Sequence, residues 1–319
     1  MTAHTTTLGA AALALGLAAG ASAQGLDLNI MAPAGAGGGW DSAARAIQET
    51  MLATGLASSA QVYNVPGAGG TVGLAQFVDT AGTDPGQLMV GGITMVGAII
   101  SNAAPVDLTQ VTPIARLTGD PLAVVVPASS DIQTIQDLMA RIQSDVGGTI
   151  WAGGSAGGAD HMLAALITEA AGADPGQINY VAYSGGGEAL AAMLGGQVTA
   201  GISGYGEWQG QIESGDLRAL AISFAEPIEG IAAQPLMDQG VDVELVNWRG
   251  VFAPAGIGAE DKARLDDAFA QLVASPEWQE RLQAQGWTDY YLPADEFAAF
   301  LSEETARVGD VLRSVGLAQ

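Results

Sequence analysis

Ala32-Pro33-Ala34-Gly35-Ala36-Gly37-Gly38-Gly39-Trp40-Asp41 lies between a strand-like run, Leu26 to Met31, and a helix-like run that begins at Ser42. Gly153-Gly154-Ser155-Ala156-Gly157-Gly158-Ala159-Asp160-His161 sits in the same setting, after Thr149 to Ala152 and before a helix from Met162 onward. A strand followed by a glycine loop and a helix start leaves backbone N–H groups free at the positive end of the helix dipole, which is a seat for an anion. Two such seats, far apart in the chain, point to one anion held between two domains.

Strands and helices alternate on either side of these loops. Strands are expected at Leu26–Met31, Gln61–Val65, Gln87–Gly91, Ile114–Leu117, Leu122–Pro127, Thr149–Ala152, Ile178–Ala182, Ala200–Ser203 and Leu217–Ser223. Helices are expected at Ser42–Leu52, Ile135–Gln143, Ala159–Ala171, Gly187–Leu194, Glu207–Ser214, Glu260–Ala274, Pro276–Gln285 and Ala294–Ser314, with another through Val78 after a glycine turn at Gly67–Gly73. Asp41 is the expected N-cap of the first, where Ala44, Ile47 and Met51 recur at helical spacing. This alternation argues for an α/β fold with parallel sheets covered on both faces. Thr118–Pro121 and Ser223–Pro227 are the candidate crossings between domains. Two crossings make one domain discontinuous, Gln24–Asp120 plus Phe224–Gln319, and leave Pro121–Ser223 as the other.

The 319 residues suffice for two domains, and 49% of them are hydrophobic. Acidic residues outnumber basic ones 34 to 10, for a net charge of −24, and Lys262 is the single lysine. Nucleic acid is excluded as a partner, because phosphate binding needs a basic surface. Cysteine is absent, which removes disulfides, thiol nucleophiles and cysteine–zinc sites. Leu8 to Ala21 is an unbroken small and apolar stretch, and Ala21-Ser22-Ala23 fits an A-x-A cleavage site. Residues 1–23 are therefore expected to be a signal peptide cleaved near Ala23. The apolar run falls short of the ~20 residues needed to span a bilayer.

Other motifs compete for the glycine loops. Gly153-x-Ser155-x-Gly157 matches the nucleophile elbow of serine hydrolases, but a triad needs a later histidine and none follows His161. Gly35-x-Gly37-x-x-Trp40 resembles a dinucleotide fingerprint, but a tryptophan stands where the third glycine must allow close helix–strand packing. Tyr183-Ser184-Gly185-Gly186-Gly187-Glu188 is a third loop of the same kind; Pro66-Gly67-Ala68-Gly69-Gly70 reads as a turn. His161 reads as a packing or capping residue, and no metal site or cofactor is expected. Arg249, after Trp248, can pair with a carboxylate bidentately or can serve as a surface arginine paired with one of the many acids.

In order along the chain stand APAGAGGGWD (32–41), NVPGAGG (64–70), GGSAGGADH (153–161), YSGGGEALAAMLGGQV (183–198), GDLRALAIS (215–223) and NWRGVFAPAG (247–256). This set resembles the TctC/Bug family, the extracytoplasmic solute-binding proteins of tripartite tricarboxylate transporters. The GGGWD form is closer to the tricarboxylate-binding branch than to members with a GG-x-x-D loop. The resemblance implies a two-domain, type II periplasmic binding protein-like fold, each domain a mostly parallel sheet flanked by helices, with the ligand in the interdomain cleft. It also implies a periplasmic monomer, not an enzyme, that delivers a di- or tricarboxylate such as citrate to membrane components of the transporter. A sensory protein reporting to a receptor kinase is the alternative. Carried over, the carboxylate is held by Ala34, Gly35, Ala36, Gly37, Gly38, Gly39, Trp40 and Asp41, and by Gly154, Ser155, Ala156, Gly157 and Gly158. Ser184, Gly185 and Gly186, with Thr94 and Met95, complete the pocket, and Arg249 and Trp40 are candidates for specificity. Two places depart from the family pattern. Ala225–Gln234 lacks a basic residue, and Thr94-Met95-Val96-Gly97 replaces a Thr-His pair.

Overall fold

The computed structural model describes residues 25–183 and 185–318. Ten strands and ten α-helices alternate through them, in a mixed α/β architecture. The strands are β1 (Leu26–Ala32), β2 (Ala57–Asn64), β3 (Gln87–Gly92), β4 (Val111–Pro127), β5 (Ile150–Gly153), β6 (Asn179–Ala182), β7 (Ala200–Gly204), β8 (Leu217–Ile222), β9 (Val246–Pro254) and β10 (Thr288–Pro293). The helices are α1 (Gly39–Ala53), α2 (Thr71–Thr80), α3 (Ile93–Ser101), α4 (Ile135–Ser144), α5 (Ala159–Ala170), α6 (Gly186–Leu194), α7 (Tyr205–Ser214), α8 (Ala259–Ala274), α9 (Pro276–Gln285) and α10 (Ala294–Ser314).

β4 organises the molecule. Its first part, Val111 to Pro121, pairs antiparallel with β9, and its second part, from Leu122, pairs antiparallel with β7 and β8. The strand order β2-β1-β3-β9-β4-β7-β5-β6 therefore runs from one sheet into the other through a single strand. Ile114–Leu117 and Leu122–Pro127, expected as two strands, are one, with Thr118–Pro121 inside β4. Gly119 and Asp120 are paired with Trp248 and Asn247 of β9, and the buried Asp120 carboxylate is ion-paired with Arg249. Parallel pairing is confined to the strands joined by helices, β1 with β2 and β3, and β5 with β6 and β7. Pairings along β4 and β9 are antiparallel, so both sheets are mixed.

In the second part of β4 the side chains alternate between two apolar cores, as strand geometry requires. Leu122, Val124 and Val126 enter the larger core, and Ala123 and Val125 enter the smaller one with Ala152, Met193 and Trp208. Burial on both faces is why this stretch is continuously apolar rather than alternating. The chain returns at Ser223, which is fully buried. Its Oγ accepts from Leu122 N (3.1 Å) and donates to Leu245 O (2.6 Å). Among the described residues, no helix is long and apolar enough to cross a membrane.

Three elements are not evident from sequence pattern: α3, β9 and β10. A fourth difference is at α1, which begins at Gly39 with Gly38 as its N-cap. Asp41 is therefore inside the first turn and does not cap it. Its buried carboxylate turns back to accept from Gly37 N (2.8 Å), Arg45 Nε (2.9 Å) and Asn64 Nδ2 (3.0 Å). Burial opposes its charge, and these hydrogen bonds outweigh it, so the carboxyl is held below its usual range. Asp41 thus ties the first glycine loop to its own helix and to β2.

Candidate functional site

A cavity of about 150 Å³ lies at the carboxyl ends of β1, β3, β5 and β7, lined from both halves of the strand order. Open α/β sheets place ligands at this position. Five helices, α1, α2, α5, α6 and α7, send their N-terminal ends to it, and each starts from a glycine: Gly38, Gly70, Gly158, Gly185 and Gly204. A glycine N-cap has no side chain to satisfy the first-turn N–H groups; Thr94 takes Ala159 N of α5 and Glu207 takes Gly186 N of α6, and the positive dipole ends still face the cavity. Away from the cavity, α4 and α9 are capped by Thr134 and Ser275, whereas α8 starts from a glycine, Gly258.

Of the residues expected at the site, Ala34, Gly35, Gly38, Gly39, Trp40, Thr94, Gly154, Ser155, Gly158, Gly185, Gly186 and Arg249 line the cavity. Ala36 and Gly37 lie on the exposed turn of the first loop, and Ala156 on that of the second. Gly157 is buried behind the second loop, where its N–H donates to His161 Nδ1 (3.1 Å). Met95 is fully buried in the larger core, and Asp41 braces the loop from behind. Ser184 lies outside the described residues. The Pro66–Gly70 turn also lines the cavity. Gly70 adopts φ +89°, and a Cβ there would stand 2.6 Å from the Trp40 ring, so only glycine lets the indole close that wall.

Thr94 and α3 join the two halves. Thr94 Oγ1 accepts from Ala159 N, the first residue of α5 (3.2 Å). A Cβ on Gly97 would stand 2.1 Å from Gly157 O, so α3 lies directly against the second glycine loop. That loop is held from behind by Tyr180, whose hydroxyl donates to Gly154 O (2.9 Å) and whose ring stacks on His161 at 4.1 Å between centroids. Burial pushes the His161 imidazole down to about 4, so it is neutral, with Nδ1 engaged by Gly157.

The acidic lining is the part that sequence reasoning missed; Arg249 is among the residues expected at the site. Arg249 is 3% exposed and reaches the cavity from β9, with its Nη2 donating to Asp120. Its Nη1 has no hydrogen-bond partner among the described residues. Asp160, at the start of α5, and Glu207, in the first turn of α7, face the same cavity. Asp160 Oδ2 accepts from Gly154 N (2.6 Å), and Glu207 Oε2 accepts from Ser203 Oγ (3.2 Å). Glu207 also accepts from Gly186 N at the start of α6. Burial, reinforced by neighbouring carboxylates, pushes the Asp160 carboxyl up to about 7. Glu207 is raised by burial and by Asp120, against the pull of Arg249. An acid in the first turn of a helix is ordinarily a surface residue favoured by the dipole, and nothing in the local sequence separates these two from that kind.

The model of the family described as "Tripartite tricarboxylate transporter family receptor" (TctC) matches residues 43–317. Protein BugT of Bordetella pertussis is 28% identical over 285 residues, covering 88% of this chain and 86% of BugT. Among solved structures, MatC (Rpa3494) from Rhodopseudomonas palustris with bound malate superposes with a TM-score of 0.77 at 22% identity, covering 89% of this chain and 98% of that one. Rpa4515 of R. palustris with adipate gives a TM-score of 0.84 at 21% identity, covering 92% and 98%. At these identities the structures establish a shared fold.

Proposed function

The chain belongs to the family of tripartite tricarboxylate transporter receptors, which are solute-binding proteins and not enzymes, and on that premise we propose that it captures a small organic carboxylate and delivers it to the membrane components of such a transporter. The observation that carries this reading is the convergence of five glycine-started helix N-termini and one buried arginine on a single cavity. Each helix end presents about half a positive charge. Fixed backbone dipoles hold a carboxylate without basic side chains, which suits a chain with 10 basic residues in 319.

In this reading residues 24–120 with 224–319 form one lobe, residues 121–223 form the other, and closure of the lobes buries the ligand. Residues 1–23 direct export to the periplasm, where the protein acts as a monomer. Malate and adipate, found on MatC and Rpa4515, are natural first probes. Titration calorimetry with a panel of mono-, di- and tricarboxylates, some with amino substituents, is expected to give at least one binder. A folded protein that binds none of them sinks the proposal. Gly38→Val is expected to weaken that binder at least tenfold with little loss of stability. Gly38 lines the cavity, and the nearest atom to its Cβ is Gly35 O at 3.3 Å, so a bulkier side chain there takes room from the cavity without striking the core.

A further inference from the structure

The cavity holds more negative than positive side chains, which is unexpected for a pocket that captures anions. Arg249 is neutralised by Asp120. Asp160 and Glu207 remain, and neither is ion-paired with a basic side chain among the described residues. Two ionised carboxylates in a confined space repel a ligand with two or three carboxylates of its own. Among the described residues no group of three or more His, Asp or Glu is placed to hold a metal ion.

We propose that Asp160 and Glu207 form a subsite for a protonated amine, so that the ligand is a carboxylate that also carries an ammonium group. This rests on the carboxylate reading above and narrows it. The buried Arg249 Nη1, with no partner, and the first N–H groups of α1 mark the carboxylate end of the ligand. Glu207 Oε1 and the Arg249 guanidinium both stand against Gly39, the first residue of α1, so the ammonium sits beside that carboxylate rather than across the cavity from it. Asp160 Oδ2 is committed to Gly154 N, and Glu207 Oε2 to Ser203 Oγ. An ionised carboxylate offers about four lone-pair directions, so both retain acceptor capacity for the three donors of an ammonium. Burial and the nearby Glu207 and Asp120 raise the Asp160 carboxyl against the pull of the Gly154 N–H and Arg249. A bound ammonium restores its ordinary acidity, and the charge-assisted hydrogen bonds that form are about twice as strong as neutral ones.

The test is calorimetry at pH 8 with matched pairs that differ by one amine: succinate and aspartate, glutarate and glutamate, butyrate and 4-aminobutyrate. Citrate is included as the polyanion. At least one amine-bearing member is expected to bind about tenfold tighter than its partner, as hydrogen bonds to charged groups allow. In Asp160→Asn that advantage is expected to fall towards one, while citrate binds more tightly than it does to the parent. Glu207→Gln provides the same readout if Asp160→Asn fails to fold. Equal binding within every pair, or tighter binding of the amine-free member, overturns the proposal and leaves carboxylate capture standing. So does an amine advantage that survives both substitutions, because the two acids then do not form the subsite. If no member of any pair binds, and citrate does not either, the carboxylate reading fails and takes the subsite with it.

Discussion

Asp160 and His161 are adjacent in the chain and titrate in opposite senses. Burial depresses His161 from 6.5 to about 4, so the folded protein binds fewer protons there than the unfolded chain does between those values. The stability that His161 contributes is present above about pH 6.5 and is lost as pH falls towards 4. Burial raises Asp160 from 3.8 to about 7, so the folded protein binds more protons there. Its contribution is present below about pH 4 and is lost as pH rises through 7. The slopes are bounded by about 1.4 kcal/mol per pH unit and nearly cancel in the parent between pH 4.5 and 6.5. Replacing one residue exposes the other. Relative to the parent, His161→Gln is expected to gain stability as pH is lowered from about 6.5 to 4.5. Asp160→Asn is expected to gain as pH is raised over the same interval. Urea midpoints at the two ends of the range measure both, and two variants that move in the same direction refute the assignment of one charge state.

Among the elements, α3 has the largest consequence for the site and the weakest signature in the sequence. Its residues, Ile-Thr-Met-Val-Gly-Ala-Ile-Ile-Ser, are apolar on nearly every side because the helix is packed between the larger core and the second glycine loop. Without a polar face there is no helical periodicity to read. The same reasoning separates what was legible from what was not. The βα units with glycine loops were legible because strand, turn and helix start each leave a local signal. β9 and β10 were not, since their pairing with β4 joins residues more than a hundred positions apart in the case of Arg249 and Thr118. In the cavity, the glycine loops could be read locally, whereas Asp160, Ser203, Glu207 and Asn247 meet only through tertiary structure. Two helical glycines test the packing of α3. Gly97→Ala puts a methyl against the backbone carbonyl of Gly157, an obstacle that cannot rotate away, and is expected to cost about 1–3 kcal/mol. Gly210 in α7 has open space where a Cβ would stand, so Gly210→Ala is expected to stabilise by about 0.5–1 kcal/mol. Chemical denaturation of both variants gives opposite signs if α3 is seated as described, and the same sign if it is not.

The whole molecule sets a long-range field that opposes the local one. A net charge of −24 repels anions at distance, while the helix N-termini in the cavity attract them only within the last few ångströms, because their partial charges act over about one helical turn. Capture of an anion by this protein is therefore a passage through a repulsive outer region into a short, attractive seat. Salt distinguishes the two regions, since the Debye length shrinks from about 30 Å at 0.01 M to about 10 Å at 0.1 M. Screening removes most of the outer repulsion and leaves the buried contacts nearly intact. The association rate constant of an anionic ligand is thus expected to rise with ionic strength, by several-fold between about 0.01 and 0.3 M, opposite to the behaviour of a basic pocket that steers its ligand. The dissociation rate constant is expected to change little. Trp40, which lines the cavity, offers a fluorescence signal for stopped-flow measurement. A zwitterionic ligand, with less net charge to repel, should show a shallower salt dependence than a dianion of the same length. An association rate that falls as salt is added would mean that the field at the cavity mouth is positive, and that the acidic wall does not set it.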